Sequence, residues 1–283
     1  MSNTSSPIIS TSDLIKFNDE KNLIIIDASG SNQAKENYLT KHLKGALFMD
    51  LNTQLADIKN DLSDGGRHPL PAVEVFAELL GSYGISEKSQ VVIYDEKNGS
   101  NAAARLWWML AAAGHEKVYV LDGGLEAAAL AGYPLSSGQE SATPVVPYPF
   151  TTWKLPQAGI EEVQTVSEND EYLVIDVRDN ARYLGITEPI DLIAGHIPGA
   201  VNVPFSGNLD EKQNFLSPEL LRAKYETLFA GKPAEKIIVH CGSGVTACHT
   251  LLALAHAGLA VPKLYVGSWS EWSRNGKKIA TGA

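Results

Sequence analysis

Apolar positions along the chain fall into short runs bounded by polar residues or glycine. Leu23 to Ile26, Val91 to Ile93 and Val118 to Val120 lie in the first half, and Leu173 to Ile175, Ile237 to Val239 and Leu264 to Val266 in the second. These runs are rich in Ile and Val and too short for helices, so they predict strands. Several are continuously apolar rather than alternating, which is the pattern of strands covered on both faces. Longer helix-like stretches separate them, among them Ala72 to Tyr83, Ala102 to Ala113 and Pro218 to Phe229. Strands alternating with helices predict an α/β fold with mainly parallel sheets flanked by helices.

The pattern occurs twice. At a shift of roughly 150 residues, Leu23-Ile24-Ile25-Ile26-Asp27 matches Leu173-Val174-Ile175-Asp176, and His42-Leu43-Lys44-Gly45-Ala46 matches His196-Ile197-Pro198-Gly199-Ala200. Val91-Val92-Ile93-Tyr94-Asp95 likewise matches Ile237-Ile238-Val239-His240-Cys241, and Ala113-Gly114 matches Ala257-Gly258. A repeat this long is a domain rather than a solenoid unit. Two tandem domains are therefore expected, residues 8–136 and 158–283. Residues 137–157, rich in Ser, Thr and Pro and without an apolar period, are expected as the linker. His42 and His196 recur in both halves and so are expected to serve the fold. Trp107, Trp108, Trp269 and Trp272 are read as packing residues.

Composition narrows the chemistry. The 283 residues carry 33 acidic against 23 basic side chains, a formal charge of -10. No stripe of Lys and Arg stands out, which argues against nucleic acid as the main partner. No apolar run approaches the length of a membrane span and the first residues lack the pattern of a secretory signal, so a cytoplasmic protein without a membrane partner is expected. Cys241 and Cys248 form neither a disulfide framework nor a cluster at zinc-ligand spacing.

The halves differ most where the strand ending in Asp95 is matched by one ending in Cys241. After the cysteine come Gly242-Ser243-Gly244-Val245-Thr246 and a helix-like run from Cys248. A thiol at the carboxyl end of a parallel strand occupies the usual ligand position of such sheets. Glycines let the loop amides turn inward as an anion cradle, and the following helix start adds positive potential. That setting favours thiolate over thiol and suits a persulfide anion. Cys248, seven residues on, is expected to pack as a buried thiol. A phosphatase loop would need arginine where Ala247 stands, and Cys241 to Ala247 contains no Arg or Lys to bind a doubly charged phosphate.

Over essentially its whole length the chain resembles two-domain rhodanese-type sulfurtransferases. Gly195-His196-Ile197-Pro198-Gly199-Ala200, Leu121-Asp122-Gly123-Gly124 and Gly267-Ser268-Trp269-Ser270-Glu271-Trp272 carry the likeness beside the two Asp-ended strands. The loop from Cys241 to Thr246 is similar to that of the family's mercaptopyruvate-using members, whereas thiosulfate-using members typically carry basic residues at Gly242 and Ser243. The resemblance implies an inactive first domain, with Asp95 in the cysteine position, and a catalytic second one. It implies Cys241 as nucleophile, with Gly242, Gly244, Val245 and Thr246 cradling the transferred sulfur and Arg182 binding the substrate carboxylate. It further implies a proton relay through Ser243, His68 and Asp50. A second carboxylate-binding arginine of the family has no counterpart, since Glu188-Pro189-Ile190-Asp191-Leu192 fills that stretch. The implied reaction moves sulfur from a small donor, mercaptopyruvate or alternatively thiosulfate, to a thiol, a thioredoxin-like protein or cyanide. It requires no metal or organic cofactor, because the cysteine itself carries the group. A third expectation is a persulfide-carrying module loaded by a protein donor.

Overall fold

The structure, a computed structural model, describes residues 6–17 and 20–282; Ala283, the last residue of the second expected domain, lies outside the described residues. The chain divides into two compact units, one comprising residues up to Ala56 together with Pro71–Lys154, the other Asp57–Leu70 with Leu155 onward.

In the first unit, β1 (Ile8–Ile9), β2 (Leu23–Ser29), β3 (Leu47–Asp50), β4 (Gln90–Tyr94) and β5 (Val118–Leu121) form a sheet of order β1-β5-β4-β2-β3. The second unit repeats it with β6 (Gln157–Ala158), β7 (Leu173–Asp176), β8 (Val201–Asn202), β9 (Ile237–His240) and β10 (Lys263–Tyr265), in the order β6-β10-β9-β7-β8. All strand pairs in both sheets are parallel. The central strands β4 and β9 are buried along their length, as their unbroken apolar runs require. Helices Ala102–Ala113 and Pro218–Phe229 take the bounds their sequence predicts, and Val73–Ser82 falls one residue short at each end. Ser217 caps Pro218–Phe229 by accepting the Leu220 N–H, with proline at the first helical position, where its missing donor costs nothing. Among the described residues no helix is long and apolar enough to cross a membrane.

The recurring histidines hold matching turns. His42 Nδ1 lies 2.7 Å from the Tyr38 carbonyl and His196 Nδ1 lies 2.8 Å from that of Tyr183. Each ring stacks on its tyrosine, at 4.2 and 3.7 Å between centroids. The tyrosine hydroxyls donate to Ala46 O and Ala200 O. Both histidines thus serve the fold in each unit, and the four tryptophans singled out in the sequence are buried.

Two boundaries differ from those expected. Asp57–Leu70 interrupts the first unit and belongs to the second. The expected linker, 137–157, is mostly exposed but anchored on the first unit through Lys154 at three aromatic residues: Tyr148 and Phe150 are buried, Phe150 meets Phe76 edge-on at 6.0 Å, and Trp153 lies 6.3 Å from Trp108. Aromatic residues spaced between the prolines anchor a segment that has no regular period, so composition alone reads it as free.

Candidate active site

Strand β9 delivers Cys241 to the carboxyl edge of its sheet, and five residues later the helix Thr246–His256 begins. Gly244 turns this loop at φ +72°, where a Cβ would strike the Val266 carbonyl oxygen, so only glycine fits. The segment after β10 clamps the loop from one side. Cys241 N–H donates to Ser268 Oγ at 3.2 Å, while Trp269 and Ser270 N–H donate to the carbonyls of Cys241 and Gly242 at 3.0 and 2.8 Å. Ser268 itself sits in the left-handed region at φ +54° and donates to Tyr265 O. The loop carbonyls are thereby occupied, and the N–H groups of Gly242, Ser243 and Val245 meet no acceptor among the described residues. Such a loop, ending on a helix start, offers donors to an anion held at Cys241. Cys241 is 2% exposed and Cys248 fully buried, with the Cys248 thiol donating to Gly244 O at 3.2 Å.

The matching loop of the first unit is already filled. The Asp95 carboxylate accepts four backbone N–H groups, from Lys97 and Gly99 on one oxygen and Asn101 and Ala103 on the other, at 2.8 to 3.1 Å. Burial pushes this carboxyl up, and the four donors pull against it. An anion cradle with a resident carboxylate has no room for a second anion.

Around Cys241 the second unit gathers arginines and carboxylates. The Asp191 carboxylate, buried completely, receives Arg67 Nε at 2.9 Å, Arg182 Nη2 at 3.0 Å and Arg274 Nη1 at 3.4 Å. Arg182 also pairs with Glu188 at 2.8 Å, and Arg178 pairs with Glu188 at 3.3 Å. Arg178 forks onto Asp176, with Nη2 to Oδ2 at 2.6 Å, and lies 4.5 Å over the Trp269 ring. Burial opposes ionisation of Asp176 and Glu188, yet His240 and Arg178 beside the first, and Arg182 with the Asp191 and Ile190 N–H groups beside the second, hold both carboxyls below the ordinary carboxylate range. Burial pushes His240, 3.8 Å from Asp176, downward, against the pull of that carboxylate.

Segment 57–70 brings two further groups to the loop. His68 Nδ1 lies 2.8 Å from Ser243 Oγ, joining two residues 175 positions apart in sequence. Gly66, at φ +76°, allows this approach, since a Cβ there would meet Gly267 O and Ser270 Oγ. Arg67 N–H donates to Ser270 Oγ at 3.0 Å, and Gly65 N–H donates to Glu271 Oε1 at 3.0 Å. A Cβ built on Gly242 would lie 2.9 Å from Arg67 Nη2 and 3.4 Å from Arg182 Nη2, which sets both guanidiniums directly against the residue after Cys241.

The structure therefore gathers Cys241, Gly242, Ser243, Gly244, Val245, Thr246, His68 and Arg182 in one unit. Asp50 lies in the other, where its Oδ1 caps the short helix Leu51–Gln54 by accepting Asn52 and Thr53 N–H. The sequence did not point to Arg67, Asp191 or Ser268. Arg67 had one signal, its place beside His68 after two glycines, and Asp191 stood out only as a departure from the family pattern.

Comparison with known proteins places the chain among named relatives. A curated relative, the probable 3-mercaptopyruvate sulfurtransferase of Pseudomonas aeruginosa, is 40% identical over 250 residues, covering 87% of this chain and 86% of the relative. The thiosulfate sulfurtransferase of Cricetulus griseus is 36% identical, covering 88% of this chain and 84% of its own. Among solved structures, the 3-mercaptopyruvate sulfurtransferase from Leishmania major superposes with a TM-score of 0.82 at 29% identity, over 95% of this chain and 74% of that one. The model of the rhodanese-like domain matches residues 10–131 and again 160–275, so the chain belongs to the rhodanese-like family and carries its domain twice.

Proposed function

We propose that the protein is a sulfurtransferase that moves a sulfane sulfur from 3-mercaptopyruvate to a thiol or cyanide through a persulfide on Cys241. The observation that carries this reading is the loop after β9: a cysteine at a strand end, unengaged loop amides at Gly242, Ser243 and Val245, and no cation within the loop itself. The names of the relatives supply the reaction class.

In this reading the Cys241 thiolate attacks the donor sulfur. The S–S bond forms as the C–S bond breaks, and the electron pair of that bond leaves on carbon as the enolate of pyruvate, which takes up a proton. The loop amides hold the persulfide, and an acceptor thiol or cyanide then removes the outer sulfur and regenerates the thiolate. His68 and Ser243, in hydrogen-bond contact, are positioned to move the proton. The Oδ1 of Asp50 caps a short helix of the other unit. Arg182 holds the donor carboxylate. The first unit carries no sulfur, since Asp95 both replaces the thiol and fills the cradle. A reducing compartment, the cytoplasm, fits a mechanism that needs a free thiolate at Cys241.

Thiosulfate is the second donor to consider, because relatives bearing that name match almost as well. Steady-state transfer to cyanide with the two donors side by side, and Cys241→Ser as the blank, tests the proposal. Higher kcat/KM for mercaptopyruvate supports it; higher kcat/KM for thiosulfate overturns the donor assignment, and turnover by Cys241→Ser overturns the mechanism.

A further inference from the structure

Asp27 and Asp176 hold the same place in the repeat, paired across their sheets with Tyr94 and His240. What surrounds them differs. In the second unit the Arg178 guanidinium forks onto Asp176, donates to the Gly195 carbonyl at 2.7 Å and lies 4.5 Å over the Trp269 ring. In the first unit Ser29 stands where Arg178 does, two residues after the aspartate. Leu125 stands where Trp269 does: Gly124 and Ser268, one residue earlier, begin their helices at φ +55° and +54°. Both smaller side chains line a cavity of about 520 Å³, together with Asp27, Tyr38 and Tyr94. We propose that this cavity of the first unit binds a small organic cation bearing a guanidinium or amidinium group, which forks onto Asp27 as Arg178 forks onto Asp176.

Asp27 is the anchor. It is 7% exposed and lines the cavity, yet its polar partners are the neutral hydroxyls of Ser29 and Tyr94, and the charges nearest it are the like charges of Asp95 and Glu96. A buried carboxylate without a cation is costly, and a cation entering from solvent recovers that cost. The rest of the lining has the matching sign. Asp95 and Glu96 follow β4, Glu126 comes from the helix Gly124–Leu130, and the ammonium that lines the cavity, Lys41, is paired with Glu126 at 2.8 Å. An anion is therefore repelled here.

Place, size and shape agree with a ligand. The cavity opens at the carboxyl end of parallel strands, the usual ligand position of such sheets, and its volume is that of a small-molecule site. A planar fork pairs with a carboxylate through two parallel hydrogen bonds, which a round ammonium cannot do, and Leu125 with the Tyr38 ring offers apolar surface to the rest of the molecule. All these residues belong to the first unit, so the site is independent of the reading of Cys241.

The test titrates benzamidine, with benzamide as its neutral counterpart of the same shape, into the full chain at pH 8 and follows binding by calorimetry. Benzamidine is expected to saturate one site and benzamide to bind about tenfold or more weakly. Asp27→Asn and Ser29→Arg, the second restoring an internal guanidinium, are each expected to weaken benzamidine by about tenfold or more. Burial raises the Asp27 carboxyl to about 6, while Tyr38 and Tyr94 are pushed up and stay uncharged. The cation needs the ionised carboxyl, so affinity in the wild type is expected to fall about tenfold between pH 8 and pH 5. No saturable binding of benzamidine, equal binding of benzamide, or full affinity in either variant would overturn the proposal. If Asp27→Asn does not fold, Ser29→Arg and the benzamide comparison decide it.

Discussion

At the scale of single residues, the repeat places the same side chain in two environments and lets its partner set its charge. Asp27 and Asp176 occupy matching strand positions. Asp176 is forked by Arg178 two residues on, whereas Asp27 has Ser29 there, which donates one hydrogen bond at 2.7 Å. Burial pushes the Asp27 carboxyl up to about 6, with the Ser29 hydrogen bond only partly offsetting it. A carboxyl whose folded value exceeds its unfolded one stabilises the protein below the unfolded value, near 4, and loses that contribution as pH rises through about 6. Asp27→Asn is therefore expected to gain roughly 2 to 3 kcal/mol over the wild type at pH 8 and little at pH 4. Urea unfolding of both proteins at the two pH values measures this, and an equal difference at both would contradict it. His240 precedes the nucleophile and Cys248 lies on the helix that follows it; burial pushes the imidazole of the first down, and the thiol of the second donates to the Gly244 carbonyl.

At the scale of elements, most of the fold was legible because its strands and helices differ so clearly in period and length. Ala102–Ala113 and Pro218–Phe229 end where glycine or a capping serine says they should. The cysteine loop was equally legible, since a strand end, two glycines and a helix start are local features. The contacts to that loop were less so, because they come from segments far away in sequence. Nothing near Cys241 signals Ser268, whose hydroxyl receives the Cys241 N–H, and nothing near Arg182 shows that Glu188 and Asp191 are its partners. Asp50 gives the opposite case, a residue assigned by resemblance to a relay while the structure gives its carboxylate a local task at Leu51–Gln54. Asp50→Ala is expected to cost about 1 kcal/mol in thermal or chemical unfolding, as lost helix caps do, with turnover unchanged. A collapse of turnover without loss of stability would return Asp50 to the relay.

At the scale of the whole molecule, the chain order and the compact units do not coincide. The repeat suggests two consecutive domains, yet Asp57–Leu70 leaves the first and completes the second, bringing Arg67 and His68 to the cysteine loop. A self-comparison of the sequence cannot show this, because matching segments along the chain says nothing of which unit a connecting segment packs against. Gly66 permits the close approach, so Gly66→Val is expected to destabilise the protein by more than about 1 kcal/mol and to raise KM for the donor, as unfolding curves and steady-state kinetics would show. The central claim, that this arrangement serves a persulfide on one cysteine, is tested most directly by mass spectrometry of the protein after brief treatment with 3-mercaptopyruvate. The account predicts one added sulfur atom on the Cys241 peptide, removed by cyanide and absent from Cys241→Ser. Sulfur added to Cys248 instead, or added equally to Cys241→Ser, would contradict it.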